Sequence, residues 1–155
     1  MTDAGIEIRR ASRSDLEQAI ALRLAVFVGE QGVPESLERD GRDAGAVHLV
    51  AVESGRVVGT CRLLMPAPDP GAHGEQNATA RFGRLAVAPE HRRRGLGLSL
   101  LAAAEEEARV AGVERIVLHA QTYAWRLYAA AGYRRRGKPF QQAGLEHITM
   151  ELRIA

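Results

Sequence analysis

Residues 82–111 read FGRLAVAPEHRRRGLGLSLLAAAEEEARVA, and no other stretch limits the possible folds as strongly. A β-type run from Phe82 to Val87 passes through Ala88, Pro89, Glu90 and His91 into Arg92, Arg93, Arg94, Gly95, Leu96 and Gly97, where a helical pattern begins. Its apolar stripe, Leu100, Leu101, Ala104, Ala108 and Ala111, recurs at three- and four-residue spacing, and Gly112 stops it. The segment is a strand, a glycine-containing turn and a helix N-terminus. The first N–H groups of a helix have no partner inside it, and the helix dipole places partial positive charge at the same end. Three arginines just upstream add to that charge, and Glu90 offsets only part of it. The turn is therefore suited to a phosphate, with Gly95 and Gly97 letting the backbone approach it without a Cβ in the way. Other nucleotide loops fit less well. G-x-x-x-x-G-K-[ST] is absent, and so is G-x-G-x-x-G, because Leu100 occupies its last position. The competing reading is an ordinary strand-to-helix loop with a solvated basic turn.

The flanking chain reads as alternating strands and helices. Ile6, Glu7, Ile8, Arg9 and Arg10 alternate as a first strand. Ser14, with Glu17 three residues on, predicts a capping box opening a helix over 15–28, with Leu16, Ile20, Leu24 and Phe27 along one face. Residues 29–46 read as a polar loop, 47–53 and 56–65 as strands about a Ser54-Gly55 turn, and 66–80 as a projecting loop. Beyond the central helix, 115–121 is an apolar, doubly buried parallel strand and 124–131 a short helix ended by Gly132. Residues 133–136 and 147–154 close the chain as strands. This order predicts an α/β protein of the α+β type, with a mixed sheet of about seven strands and helices on both faces, and excludes a doubly wound parallel sheet.

At 155 residues the chain is most simply one domain, 1–155. A single cysteine, Cys61, rules out an internal disulfide framework and a cysteine metal site, so a reducing, cytoplasmic setting is the default. In its strand-like run Cys61 reads as a small buried hydrophobe. No apolar stretch is long enough to span a bilayer, so no membrane partner is expected. The net charge of +2 is mild. Arginine clusters at 92–94 and 134–136 are compatible with a polyanion, but with aromatics at 5% a nucleic-acid partner is disfavoured.

The R-x-x-G-x-G turn between strand and helix, then a strand, then Leu127-Tyr128-Ala129-Ala130-Ala131-Gly132-Tyr133, resembles the GNAT superfamily of N-acetyltransferases, whose Y-x-x-x-G-[FY] element the last run matches. Finer features resemble the ElaA-like subfamily: RLAVFVGEQ from Arg23, then Asp40-Gly41-Arg42-Asp43, His48, Gly83-Arg84-Leu85-Ala86-Val87 and His119-Ala120-Gln121. One departure stands out. Where that subfamily carries an acidic-Asp-Gly-Ile-Pro-His run after its Phe, Phe140 is followed by QQAGLEH, which keeps His147 and loses the aspartate and proline.

The resemblance implies a GNAT fold with a mostly antiparallel sheet, and an enzyme that moves an acetyl group from acetyl-CoA to an amine of a small molecule or protein by direct attack on the thioester. It implies that Arg92, Arg93, Arg94, Gly95, Leu96 and Gly97 take the diphosphate, that Leu85, Ala86 and Val87 pair with the pantetheine arm, and that Gln121 lines the cofactor cleft. A backbone N–H near Leu85 would stabilise the oxyanion, and Tyr128 would be the general acid. The candidate bases are Glu30, His48, His119 and His147; His119 and Gln121 share one strand face by period two. No metal is expected, since Asp40, Asp43 and the histidines lack a tight ligand spacing. A homodimer is compatible with the sequence. The alternative functions are a non-catalytic acyl-CoA-binding sensor or interaction module on the same scaffold, and a nucleic-acid binder using the arginine clusters.

Overall fold

The computed structural model describes residues 5–66 and 78–154, so most of the 66–80 segment lies outside the described residues. The strands are β1 Ile6–Arg10, β2 Val47–Glu53, β3 Arg56–Leu64, β4 Thr79–Val87, β5 Arg115–Gln121, β6 Arg134–Gln142 and β7 Leu145–Arg153. They form a seven-stranded sheet in the order β1-β2-β3-β4-β5-β7-β6. The α-helices are α1 Arg13–Arg23, α2 Glu35–Glu38, α3 Leu96–Val110 and α4 Trp125–Ala130. The sheet is mixed: β4 and β5 run parallel, while β1 with β2, β5 with β7 and β6 with β7 are antiparallel. The chain divides into two compact units, residues 1–62 with 84–104 and residues 63–83 with 105–155.

In the first unit, β1 pairs with β2 from Ile6 opposite Glu53 to Arg10 opposite Leu49. The turn between β2 and β3 has positive φ at both Ser54 (49°) and Gly55 (78°), the backbone that a tight hairpin requires. Ala19, Val50, Val52 and Val57 form a buried cluster, with Ala11 and Leu22 packed on it. Gly59 on β3 is a point of close approach: a Cβ there would lie 3.1 Å from Leu100 Cδ1 and 3.4 Å from Ala51 Cβ, so its absence lets α3 settle on the strand. Cys61 is buried as expected, and burial pushes its thiol far up from the usual range.

Three local expectations are corrected here. The capping box that opens α1 is Ser12 with Asp15, not Ser14 with Glu17: Ser12 Oγ accepts from the Asp15 N–H at 3.1 Å, and Asp15 Oδ2 accepts from the Ser12 N–H at 3.0 Å. Arg9 from β1 donates to both Asp15 oxygens at 3.2 Å and so fixes that choice through a tertiary contact. The helix does not run unchanged to residue 28. It widens into a π-helical stretch, Leu24–Glu30, where Val26, Phe27, Val28 and Gly29 are all poor formers of a tight α turn. The stretch read as a loop over 29–46 also contains the short helix α2.

In the second unit, β4 pairs with β5 from Thr79 opposite Arg115 to Phe82 opposite Leu118. β5 pairs with β7 along its whole length, ending with Gln121 opposite His147. Ile116, Leu118, Ala120, Ile148 and Met150 are buried, as an apolar inner strand and its neighbour should be. β6 is longer than the 133–136 expected. The strand continues through Gly137 and Pro139 because β6 ends the sheet order, and a bulge between Arg136 and Phe140, with Gly137 at φ 79°, absorbs both.

Candidate active site

The basic turn joins β4 to α3, and its left-handed residues are Arg93 and Gly95 rather than Gly95 and Gly97. A single 3₁₀ turn, Pro89–His91, leads to Arg92 in extended backbone, then Arg93 at φ 64° and Gly95 at φ 80°, and α3 starts at Leu96. Two left-handed residues within three positions turn successive N–H groups to one side and form a concavity for an anion at the helix start. Arg92, Arg93, Arg94 and Gly95 are exposed, and a Cβ at Gly95 would meet nothing within 4 Å.

Two carboxylates carry ion pairs here. Glu90 takes Arg56 Nη2 at 3.1 Å. Arg92 Nη2 donates to Glu30 Oε2 at 2.6 Å, and Arg92 Nε donates to the carbonyl of Val87 at 2.9 Å. Glu30, a candidate base, is thus tied to Arg92, a candidate phosphate ligand. Leu85, Ala86 and Val87 lie between this turn and Arg84, a non-glycine residue at φ 54° that breaks the regular geometry of β4.

The first unit also holds a charge cluster that sequence reading missed. Arg23 is almost fully buried and donates from Nε to Glu38 Oε1 at 2.7 Å, and from Nη1 and Nη2 to the two Asp43 oxygens at 2.9 and 3.3 Å. Arg62 forks onto Asp40, both bonds 2.8 Å, and reaches Asp43 at 3.1 Å. The Arg62 bonds hold the Asp40 carboxyl well below the usual carboxylate range. Burial pushes Asp43 up, but the bonds from Arg23 and Arg62 outweigh it and leave it low. His48, a candidate base, is a structural partner of this cluster: its Nε2–H donates to the Asp43 carbonyl at 2.8 Å. Arginine and aspartate at 23, 40 and 43 stand in the sequence resemblance, but nothing local marks Arg62 and Glu38 as buried.

In the second unit, three of the predicted residues come together at the end of β5. His119 and Gln121 lie on the same side of the strand, and His147 is the register partner of Gln121. β6 adds Phe140, named above only as the residue before the altered run, and Gln142 within that run. Phe140 meets His119 edge-on with ring centroids 4.9 Å apart and stacks on His147 at 5.9 Å; Gln142 Oε1 lies 3.1 Å from His119 Nδ1. His147 Nδ1 is 2.8 Å from the Leu145 carbonyl, which can only accept, so that nitrogen carries a proton. Burial lowers the His119 pKa, as do the nearby Arg81 and His147, against the Gln142 bond.

Tyr128 sits on α4, buried, with its ring edge-on to Phe82 at 6.2 Å and to Tyr133 at 6.1 Å. The Tyr133 hydroxyl donates to Glu105 Oε2 at 2.9 Å, and burial, followed by that carboxylate, pushes its pKa far up. A cavity of ≈ 600 Å³ on Trp125, Ala129, Tyr133, Arg135 and Met150 is lined by none of the predicted site residues. Among the described residues no three histidine, cysteine or acidic side chains are gathered as a metal ion would need, and no helix is long and apolar enough to cross a membrane.

Strand, left-handed turn and long helix, followed by a parallel strand and a tyrosine-bearing helix, define a class. The chain belongs to the GNAT acetyltransferases: residues 10–154 match the family model described as the acetyltransferase (GNAT) domain. It is 31% identical to the uncharacterized N-acetyltransferase YjcF of Bacillus subtilis over 90% of this chain and 93% of that one. Its fold superposes on Escherichia coli ElaA with a TM-score of 0.80 at 25% identity, over 94% of this chain and 98% of that one. An acyl-CoA N-acyltransferase from Pseudomonas aeruginosa gives a TM-score of 0.78 at 26% identity, over 94% and 97% of the two chains.

Proposed function

We propose that this chain, as a single domain over 1–155, transfers an acetyl group from acetyl-CoA to an amine of a small molecule or a protein. The observation that carries the reading is the turn at 92–97, where Arg93 and Gly95 are both left-handed at the start of a fifteen-residue helix. A diphosphate matches that concavity in charge and in hydrogen-bonding character. Family membership and the acyl-CoA N-acyltransferase among the structural relatives support the same co-substrate class.

The chemistry needs a thioester carbonyl polarised by a donor, a neutral amine and an acid for the departing sulfur. In the proposed reaction the amine nitrogen attacks the carbonyl carbon, the C–N bond forms and the C–S bond breaks. The Leu85 N–H is the proposed donor to the oxyanion. Tyr128 gives its hydroxyl proton to the thiolate, and its neighbour Tyr133 does not compete, because Glu105 pins that phenol's proton. His119 is the proposed base. Its environment favours the neutral ring, whereas Glu30 is engaged with Arg92. Gln121 and His147 line the same end of β5.

The test is calorimetry with acetyl-CoA followed by an amine panel assayed for free CoA. Saturable binding with acceptor-dependent CoA release is expected. Binding without release from any amine would favour the non-catalytic acyl-CoA-binding module, and no binding at all would remove the co-substrate.

A further inference from the structure

The side chain of Arg84 is committed in a way that its backbone explains. A long side chain at φ 54° is rare and persists only where the surroundings hold it. Arg84 reaches α2. Nη2 donates to the carbonyls of Leu37 and Glu38 and to Asp40 Oδ2, all at 3.2 Å, and Nε lies 3.3 Å from Glu38 Oε1. The last carbonyls of a four-residue helix have no following helical N–H to take them, so this guanidinium also serves as the C-terminal cap of α2.

The acceptors have partners of their own. Glu38 Oε1 is held by Arg23 and Asp40 is forked by Arg62, in the cluster that ties α1 and β3 together. Arg84 is therefore the link between that cluster and the backbone immediately before Leu85. We infer that Arg84 is a positioning residue: clamped on α2, it fixes the left-handed kink of β4 and so aims the Leu85 N–H. The consequence for acyl transfer rests on the function proposed above. The clamp itself does not.

The experiment compares Arg84→Ala, Arg84→Lys and wild type by steady-state kinetics, calorimetry with acetyl-CoA and amide hydrogen exchange. Arg84→Ala should lower kcat tenfold or more while the acetyl-CoA Kd moves less than threefold. Exchange at residues 37–40 and 85–87 should accelerate together by at least tenfold. Arg84→Lys, which keeps the charge and part of the reach, should recover part of both losses. Unchanged exchange in Arg84→Ala overturns the clamp, and unchanged kcat overturns the positioning role. Equal loss of Kd and kcat with a uniform rise in exchange across the chain shows general destabilisation and also overturns it. If wild type acetylates no amine, the proposed function fails, and the exchange comparison alone decides the clamp.

Discussion

Glu30 and Arg92 meet at 2.6 Å, and the same guanidinium caps the Val87 carbonyl from its Nε. One arginine thus spans a candidate acceptor-side acid and the backbone proposed to take the pantetheine arm. If Glu30 competes with the diphosphate for Arg92, Glu30→Gln should tighten acetyl-CoA binding. Both partners are about two-fifths exposed, where an ion pair is worth up to about 1 kcal/mol, so a gain of about two- to fivefold is expected by calorimetry. A fall in kcat beyond about tenfold would instead make Glu30 the base.

Arg93→Gly separates strain from charge. Glycine adopts the left-handed backbone without penalty, so stability should hold or rise by up to about 1 kcal/mol in denaturant unfolding. Acetyl-CoA affinity should fall about three- to tenfold through loss of one cation, and the loss should shrink at high salt.

Tyr128→Phe should bind acetyl-CoA within about twofold of wild type and turn over about a hundredfold more slowly, the usual scale for loss of a general acid. Tyr133→Phe supplies the contrast. It leaves the Glu105 carboxylate without its phenol donor, costing about 1.5 kcal/mol and lowering Tm by about 3–6 °C, with kcat little changed. The reverse pattern in the two variants would exchange their roles.

His119 carries a pH signature. Its folded-state pKa is depressed below the ordinary 6.5, first by burial, so the fold prefers the neutral ring. Its contribution to stability is fully present above the unfolded value of 6.5 and is lost as pH falls through the depressed folded value. As the base, His119 should give kcat/KM an acid limb below 6.5, and His119→Gln should remove that limb; a limb that survives the substitution belongs to another group.

Removing one partner from the Arg23 cluster should be severe. Arg23→Met strands Glu38, which is almost fully buried, and is expected to cost about 3–5 kcal/mol and lower Tm by about 6–20 °C. The cluster also predicts acid sensitivity. Asp40 has a depressed folded pKa, so its stabilisation is fully present above the usual carboxylate value near 4 and is lost progressively as pH falls from there through the depressed folded value. Asp40→Asn should flatten that part of the acid unfolding curve.

Much of the fold was legible because its signals are local. The Ser54-Gly55 hairpin, the stops at Gly112 and Gly132 and the apolar run of β5 depend on residues that are neighbours in sequence, and they appear where pattern and turn chemistry put them. Where a distant residue took part, local reading slipped. Arg9 chose Ser12 over Ser14 as the cap of α1, and an edge position let β6 run through Gly137 and Pro139.

The candidate site divides in the same way. The tight turn between β4 and α3 was legible as a turn, with Gly95 left-handed as a glycine there allows, but the second left-handed residue is Arg93, not Gly97, which lies inside α3. The roles of charged and imidazole side chains were decided by the tertiary structure. Arg23 with Glu38 spans 15 positions, His119 with Gln142 spans 23, and Arg84 with Glu38 spans 46. Whether an arginine is solvated, buried or holding a strand depends on which carboxylate folding brings within 3 Å, and no periodicity in the chain carries that information.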